Sequence, residues 1–387
     1  MKKIMKDAKK LIIELSKIGR KHSSKPLLNE VQSFKHFFNK KGELLTGELD
    51  EPDGRLNRRE VLARYLLLNA VLDQGPDVKG IDLMLIKVVN ELYKQEIRIF
   101  HRPLDFFKEL GISIDSILKS HTSVKKIRAI LWAKENKTNP EKYNLFMDYS
   151  KQVLNYAIFR WGVPLAVPLL LEKDKLNLID YLERWDSSEI MSQQLKDHSR
   201  YGLGKAIGDK AAHLFTKWYI HTFKLVKNKK ESWGKLSFEL PLDSNVGRVL
   251  FRTGWFSPFA DLKNLEEWNV IQKEKGKGGT HYIRVTNLRG KRSLRALKYE
   301  NLFENYKKIC SDYLRTKNNP RSVEIQQIPN ALLLSTKYSI GDLDDGLMYI
   351  GTNFCFNLEN PKCNKCPIKK LCEGYNKNRE LIENYRT

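Results

Sequence analysis

The sequence predicts a mostly α-helical protein with two subdomains, and three observations support this prediction. Apolar residues recur at helical spacing through most of the chain. The chain has 387 residues and is 41% hydrophobic, so it can bury more than one core. One segment departs from helical spacing: residues 268–293 alternate in part and have Gly276, Gly278 and Gly279 at their centre, which favours a hairpin or an ordered loop.

The helical segments follow one another from residue 59. Segment 59–74 has an apolar face broad enough for a buried helix, and Gly-Pro-Asp ends it. Asp77 is then in position to cap the next helix, over 78–95. Further helices are predicted over 124–136, 141–160, 175–183, 187–197 and 209–226. Pro164 and Pro168 interrupt the pattern, so we expect a bend or an interhelical packing segment there.

The charge of the chain favours a polyanionic partner. The formal net charge is +23 and the isoelectric point is about 9.6, which is typical of nucleic-acid-binding proteins. Residues 1–41 hold twelve Lys/Arg against three Asp/Glu, a net charge of +9. Residues 273–298 hold nine basic residues against Glu274 alone, a net charge of +8. Such clusters can neutralise phosphates, although each could also be a solvated face.

The sequence gives no sign of a membrane segment or of a disulfide framework. No apolar run approaches the roughly 18 residues of a membrane helix. The basic amino terminus has only Leu11-Ile12-Ile13 as an apolar stretch, too short for a secretory signal. Four of the five cysteines lie together, which is unlike a disulfide scaffold in a chain of this length. We therefore expect a reducing compartment in which the thiols can bind metal.

The clustered cysteines have the spacing C-x7-C-x2-C-x5-C: Cys355, Cys363, Cys366 and Cys372. Structural zinc sites usually have two C-x2-C-like pairs, whereas this segment has one pair with longer arms. A cubic [4Fe–4S] cluster, which takes one thiolate for each iron, is the better candidate, and zinc remains the alternative. Cys310 lies far from the others, and we expect an ordinary buried thiol there.

This loop, with the preceding "LMYIGTNFC", resembles the iron–sulfur loop of the endonuclease III family of DNA glycosylases. The family usually has six residues in the first gap, where this chain has seven. The resemblance implies a [4Fe–4S] cluster on the four cysteines. It also implies phosphate contacts from the lysines of the loop, of which we assign Lys362 and Lys365 as DNA-binding residues.

A second match lies upstream, where "AIGDKAAHLF" (206–215) is similar to the second half of the family's helix-hairpin-helix. The resemblance implies that the backbone at Ala206, Ile207 and Gly208 binds a DNA phosphate beside a helix start. An alternative register, "GLGKAIG" (202–208), keeps two glycines but places Gly208 inside the following helix. In the first register Lys210 falls on the nucleophilic lysine of the family, although it could also be simply one of the chain's 69 basic residues, on an exposed helix.

The segment "FELPLDSNVGRVLFRTG" (238–254) looks like the one that carries the family's catalytic aspartate, here Asp243. Alone, Asp243 could be only a helix N-cap. Lys210 and Asp243 are 33 residues apart, a spacing more similar to the archaeal 8-oxoguanine DNA glycosylase branch, which lacks the cluster. Gln74 matches the residue that fills the gap left by a flipped base, although it could simply end a helix.

The resemblance covers residues 60–95, 200–255 and 345–375, and leaves 120–198 and 260–340 as insertions. It implies amino-terminal helices over 1–60, a six-helix-barrel-like domain with the hairpin over 61–241, an iron–sulfur cluster domain over 242–387, and a cleft between the two subdomains. The implied activity is that of a bifunctional DNA glycosylase and abasic-site lyase. The alternatives are a monofunctional glycosylase and a non-catalytic metal-containing DNA-binding protein.

We expect a monomer that acts on double-stranded DNA with a damaged or modified base and has no membrane partner. Its setting would be the cytoplasm, at the nucleoid, in a prokaryote and the nucleus in a eukaryote. The sequence leaves the excised base open, and repair and modified-base defence are equally compatible with it.

Overall fold

A computed structural model of the chain describes residues 2–41, 43–45, 56–73, 78–113, 118, 122–138, 157–207, 209–227, 240–241, 243–255, 271–275, 281–285, 328–330, 332–333, 335–356, 360–377, 379 and 382. These residues are mostly helical, so the predicted mostly-α class is confirmed. The chain forms two compact units. We call Met1–Ser24, Asp186–Ile190 and Lys230–Thr387 the cysteine unit, and Lys25–Trp185 with Met191–Lys229 the lysine unit.

The cysteine unit contains several helices and two short strands among its described residues. They are α1 (Lys2–Lys21), α10 (Ser244–Arg252), β1 (Ile271–Lys275), β2 (His281–Val285), α11 (Ile340–Asn353) and α12 (Glu373–Asn376). The strands pair antiparallel from Ile271 opposite Val285 to Lys275 opposite His281, in the segment where the alternating pattern predicts a hairpin or an ordered loop.

Helices α1 and α11 cross with their backbones in contact. A methyl group on Gly19 would overlap the carbonyl oxygen of Asp342, and one on Gly346 would overlap that of Leu15. The side chain of Arg20 ties the crossing together, because its Nη2 lies 2.7 Å from Asp342 Oδ2. The first helix is therefore an integral part of the cysteine unit.

The hydrophobic core of the cysteine unit joins α1, α10 and α11. Ile12, Val249 and Leu343 are each fully buried in it. A reciprocal cap fixes the start of α11: the Ser339 side chain accepts from the backbone N–H of Asp342, and the Asp342 side chain accepts from that of Ser339.

The lysine unit contains most of the remaining helices. They are α2 (Arg58–Leu72), α3 (Val78–Lys94), α4 (Pro103–Glu109), α5 (Val124–Thr138), α6 (Ile158–Lys173), α7 (Leu178–Glu183), α8 (Ser188–Asp197, which begins in the cysteine unit) and α9 (Asp209–Lys217). A five-residue π-helix, Trp218–Thr222, continues α9, and so the helix predicted over 209–226 ends at residue 222.

Helix α2 is the centre of the lysine unit, and α6, α7 and α9 pack around it. Its start holds a buried carboxylate, since Glu60 is 1% exposed. Glu60 accepts hydrogen bonds from the backbone N–H groups of Leu178 and Ile179, at 2.9 Å each, and from Arg64 Nε at 2.7 Å. A carboxylate at the amino-terminal end of α7 satisfies amides that the helix cannot pair itself.

Pro164 and Pro168 lie inside α6, where the sequence predicted a bend or a packing segment. Each proline removes one helical hydrogen bond, a cost of about 3 kcal/mol in an exposed helix. Here Trp161, Val167 and Leu170 are fully buried around the prolines. Packing on several faces therefore holds the helix through both positions.

In the part of the chain that the structure describes, no helix is both long enough and apolar enough to cross a bilayer.

The glycine crossing can be tested with Gly346→Ala. We expect the free energy of unfolding to fall by about 2–3 kcal/mol, because α1 and α11 must move apart to admit the methyl group. Urea denaturation followed by circular dichroism measures the change. Gly247→Ala in α10 is the matched control, because its new Cβ would meet nothing within 4 Å. Equal stability of the two variants would contradict the close crossing.

Candidate active site and cysteine pocket

Asp243 begins α10 as its N-cap. Its Oδ1 accepts a hydrogen bond from the backbone N–H of Val246 at 2.8 Å, and its backbone is extended. The capping role that the sequence allowed is therefore real. One face of this helix is buried in the core through Val246, Val249 and Leu250. This packing fixes the position of the helix start and so of Asp243.

Two arginines of α10 hold the segment around the first cysteine. Arg248 Nε donates to the carbonyl oxygen of Cys355 at 2.7 Å. Arg252 Nη1 donates to the carbonyl oxygen of Phe356 at 2.7 Å and lies 3.6 Å from Cys355 Sγ. Arg252 is only 1% exposed, so its charge is buried beside the thiol.

The end of α10 also contacts the last cysteine. Cys372 Sγ donates to the carbonyl oxygen of Arg252 at 3.5 Å. The backbone N–H of Glu373 donates to the carbonyl oxygen of Thr253 at 3.0 Å. The helix that Asp243 caps is therefore joined to both ends of the cysteine segment.

The four cysteines line one pocket with α10 and α11. Its wall includes Val249, Ile350, Phe354 and Ile368, which make it largely apolar; its sulfur groups come from Cys355, Cys363, Cys366 and Cys372. Two 3-10 turns, Cys363–Lys365 and Lys369–Leu371, wrap the backbone around it. All four cysteines are free and partly buried.

Burial makes these thiols weak acids. It raises the pKa of Cys366 to about 11 and that of Cys372 to about 12, and the charge of Cys355 adds to both. Burial also raises the pKa of Cys363, again with Cys355 contributing. The thiols therefore lie close enough to influence one another's ionisation, and a metal that binds thiolates would have to displace their protons.

Four thiols are the donor type and number that a cubic iron–sulfur cluster uses, but in the described side chains they are not arranged as a formed metal site. A cubic cluster takes one thiolate at each iron, so its ligands stand around a pocket, as these four sulfurs do. The buried guanidinium of Arg252 would offset part of the negative charge of such a group. Among the described side chains, no group of three or more His, Cys, Asp or Glu residues is arranged to hold a metal ion.

The loop that carries the pocket also presents basic side chains. Lys362, Lys365 and Lys370 are exposed. The Lys362 ammonium lies 4.9 Å from the centre of the Phe356 ring, a cation–π contact that orients it. Lys369 Nζ donates to the carbonyl oxygen of Asn364 at 2.8 Å.

The turn before Lys210 lies in the lysine unit. Gly204 has a φ of 58°, in the left-handed region that favours glycine, and the Arg128 guanidinium lies against it. Residue 208 lies outside the described residues, and α9 begins directly after it at Asp209. The alternative register had placed Gly208 inside this helix.

The backbone donors of this turn are already engaged. The N–H of Ala206 donates to the carbonyl oxygen of Leu203 at 3.2 Å, and that of Ile207 to the carbonyl oxygen of Gly204 at 3.4 Å. Both side chains are buried. A phosphate bound by these amides, as the resemblance implies, would compete with the hydrogen bonds of the turn.

Lys210 stands in the first turn of α9, and its amine is held by the end of α2. Nζ donates to the carbonyl oxygen of Asp73 at 2.8 Å and to Asp73 Oδ2 at 3.1 Å. The Lys210 side chain is 23% exposed, and that of Asp73 is 5% exposed. Asp73 is the C-cap of α2 and the residue before Gln74, which lies outside the described residues.

A second carboxylate lies close to Asp73. Asn69, one turn earlier on α2, donates from Nδ2 to Asp82 Oδ1 of α3 at 3.0 Å. Burial raises the pKa of Asp82 to about 6, and the negative charge of Asp73 adds to the shift. Asp73 thus interacts with Lys210 of α9 through a hydrogen bond and with Asp82 of α3 through charge.

Sequence reasoning missed Asp73, Asp82, Arg248 and Arg252. One signal was present: an aspartate at the carboxyl-terminal end of a helix opposes the helix dipole and calls for a nearby cation. The sequence does not say that Lys210, 137 residues later, supplies that cation. The structure places Lys210 in the lysine unit and Asp243 in the cysteine unit.

Comparisons of the chain with protein-family models, curated proteins and solved structures give no match.

The raised pKa of Asp82 predicts a pH-dependent gain in stability for Asp82→Asn. The folded pKa lies above the ordinary 3.8, so the folded state binds the proton more tightly than the unfolded state. The contribution of Asp82 to the stability of the folded state should therefore fall as the pH rises from about 4 to about 6. We expect the variant to melt at a higher temperature than the wild type at pH 7, and the gain to shrink at pH 4.

Differential scanning calorimetry at the two pH values checks this. Asp180→Asn, at an exposed aspartate of α7, controls for the loss of a charge alone. If Asp82→Asn raises the melting temperature by the same amount at both pH values, the gain does not come from the raised pKa of Asp82, and the prediction is wrong.

Proposed function

We propose that this protein is a DNA glycosylase with abasic-site lyase activity, with Lys210 as its nucleophile. The observation that best supports this is the arrangement of α10. The helix begins at Asp243 and is hydrogen-bonded to both ends of the four-cysteine pocket. The three motifs that resemble the endonuclease III family also occur in the family's order along the chain.

The lysine carries the covalent chemistry of the proposal. The neutral amine of Lys210 attacks C1′ of the target nucleotide, and the damaged or modified base leaves. The resulting Schiff base then loses the 3′ phosphate by β-elimination. Because the target must leave the base stack, Gln74 would occupy the space it vacates.

Asp243 has an electrostatic role in this proposal. Its carboxylate would stabilise the positive charge that develops on the sugar as the base departs, and would move protons during ring opening. Capping and catalysis are compatible, because the cap uses one oxygen, Oδ1.

The cysteine pocket has a structural role. Cys355, Cys363, Cys366 and Cys372 would hold a [4Fe–4S] cluster, which, when bound, supplies covalent cross-links within the loop. The chain's own contribution is to orient the loop through Arg248 and Arg252. Lys362 and Lys365 can then meet DNA phosphates, in keeping with the charge of +23.

A monofunctional glycosylase is the second candidate, and one observation favours it. Lys210 Nζ donates hydrogen bonds to two oxygen atoms of Asp73, the carbonyl oxygen and Oδ2. A lysine held in this way can be structural, and water rather than the amine would then attack C1′.

Borohydride trapping on duplex DNA with one abasic site separates the two candidates. We expect wild-type protein to form a covalent adduct, because borohydride reduces the Schiff base between Lys210 and C1′. Lys210→Ala should form none. Lys126→Ala, which removes an exposed lysine of α5, is the matched control and should trap like the wild type.

Equal trapping by wild type and Lys210→Ala would remove Lys210 as the nucleophile. The monofunctional enzyme would be established by two results from the same preparation. The protein would bind abasic-site DNA without forming an adduct, and it would release damaged bases from DNA.

Metal analysis tests the cofactor. We expect about four irons per chain and a visible absorbance band that bleaches on reduction. Cys366→Ser should lose the iron, because the cluster needs all four thiolates. Cys310→Ser is the matched control and should keep it. One zinc and no iron in the wild type would contradict the cluster.

A further inference from the structure

Three charged groups from three helices meet at the end of α2. Lys210 of α9 donates to Asp73 Oδ2 at 3.1 Å, and Asn69 donates to Asp82 of α3 at 3.0 Å. Asp73 is almost fully buried, with a side chain that is 5% exposed. Asp73 therefore interacts with Lys210 through a hydrogen bond and with Asp82 through charge.

A nucleophilic amine needs a proton acceptor. An ammonium group has no lone pair, so Lys210 must lose a proton before it can attack C1′. A general base must lie within hydrogen-bond reach of the proton that it takes. Among the described residues, Asp73 Oδ2 is the titratable group with a hydrogen bond to Lys210 Nζ.

We propose that Asp73 is a positioning residue that takes the proton of Lys210 when DNA covers the site, and that Asp82 strengthens it as a proton acceptor. The inference rests on the proposed lyase function and adds residues to it. In this step the Nζ–H bond breaks and an Oδ2–H bond forms. The nitrogen lone pair is then free to bond C1′. On an intact nucleotide the bond from C1′ to the base breaks and the proton is passed to the departing base. On an abasic site the proton is passed to the C1′ hydroxyl, which leaves as water.

Desolvation explains why the transfer would follow DNA binding. In water the ion pair is strongly preferred, since the ordinary pKa of lysine is about 10.4 and that of aspartate is about 3.9. When water is excluded, two buried charges become costly, whereas a neutral amine and a neutral acid do not carry that cost. Bound DNA would therefore favour the reactive form of Lys210.

Asp82 acts on Asp73 by repulsion. The charge of Asp73 adds to the rise in the pKa of Asp82, and the interaction is mutual, so ionised Asp82 raises the proton affinity of Asp73. Buried Tyr65 of α2 also interacts with the charge of Asp82. The same three helices carry further titratable groups: Arg58, Arg59, Glu60 and Arg64 on α2, Lys79, Lys87, Glu91, Tyr93 and Lys94 on α3, and Asp209, His213 and Lys217 on α9. His213 Nδ1 lies 3.2 Å from Ser192 Oγ. Asn69 fixes the second carboxylate to α2.

Asp73→Asn tests the assignment, because the amide keeps the shape and an acceptor oxygen but is a much weaker base. Single-turnover borohydride trapping on abasic-site DNA gives the rate, and DNA titration gives the dissociation constant. We expect trapping at neutral pH to slow by about 100-fold with unchanged DNA affinity. The deficit should shrink as the pH rises, because hydroxide can replace the acceptor.

Asp82→Asn is the second variant, which leaves Asp73 and its contact with Lys210 in place. We expect trapping to slow by about tenfold, because the repulsion that favours a proton on Asp73 is lost. The wild-type rate should fall as the pH drops below about 6, where Asp82 becomes protonated, and the variant should lack this step. Asp180→Asn controls for the substitution, and thermal melting controls for folding.

The outcomes separate this inference from the function on which it rests. Wild-type trapping with unchanged rates in Asp73→Asn overturns the role of Asp73 alone. A slow Asp73→Asn whose deficit is the same at every pH also overturns it, because a purely structural defect would not be rescued by hydroxide. A wild-type protein that never traps overturns the lyase function and this inference together.

Discussion

The hydrogen bonds from Arg248 and Arg252 to the carbonyl oxygens of Cys355 and Phe356 hold the candidate site residues of the cysteine unit in fixed positions relative to one another. A buried guanidinium is costly unless its donors are used, so these two arginines constrain both the helix and the loop. The same helix carries Asp243 at its start and contacts Cys372 through its end. Any group held by the four thiols therefore also stabilises the position of Asp243.

The lysine unit also holds a buried charge that needs a partner, but here the charge is negative. Asp73 stands at the carboxyl-terminal end of α2, where the helix dipole disfavours a negative charge, and Lys210 compensates for it. The contact also restrains the Lys210 side chain to one place. A lysine side chain that is free in solution loses conformational freedom when it is fixed next to a substrate. The contact with Asp73 has already removed much of this freedom from Lys210.

Sequence patterns predicted the helical class, the N-cap at Asp243 and the helix over 59–74, since each depends on local periodicity or capping. They did not predict the continuous α6, because only the packing around Trp161 and Leu170 keeps a helix intact through two prolines. They also missed the contact of Lys210 with Asp73, which joins residues distant in sequence. Likewise, the engaged amides of Ala206 and Ile207 follow from the local turn geometry rather than from residue type.

Peptide mapping of a borohydride-trapped complex tests the central claim most directly. Wild-type protein would be trapped on abasic-site DNA, digested, and the cross-linked peptide sequenced by mass spectrometry. The account predicts that the deoxyribose remnant lies on Lys210, in the peptide that follows the turn at Gly204–Ala206. A remnant on another lysine, or on the amino terminus, would contradict it.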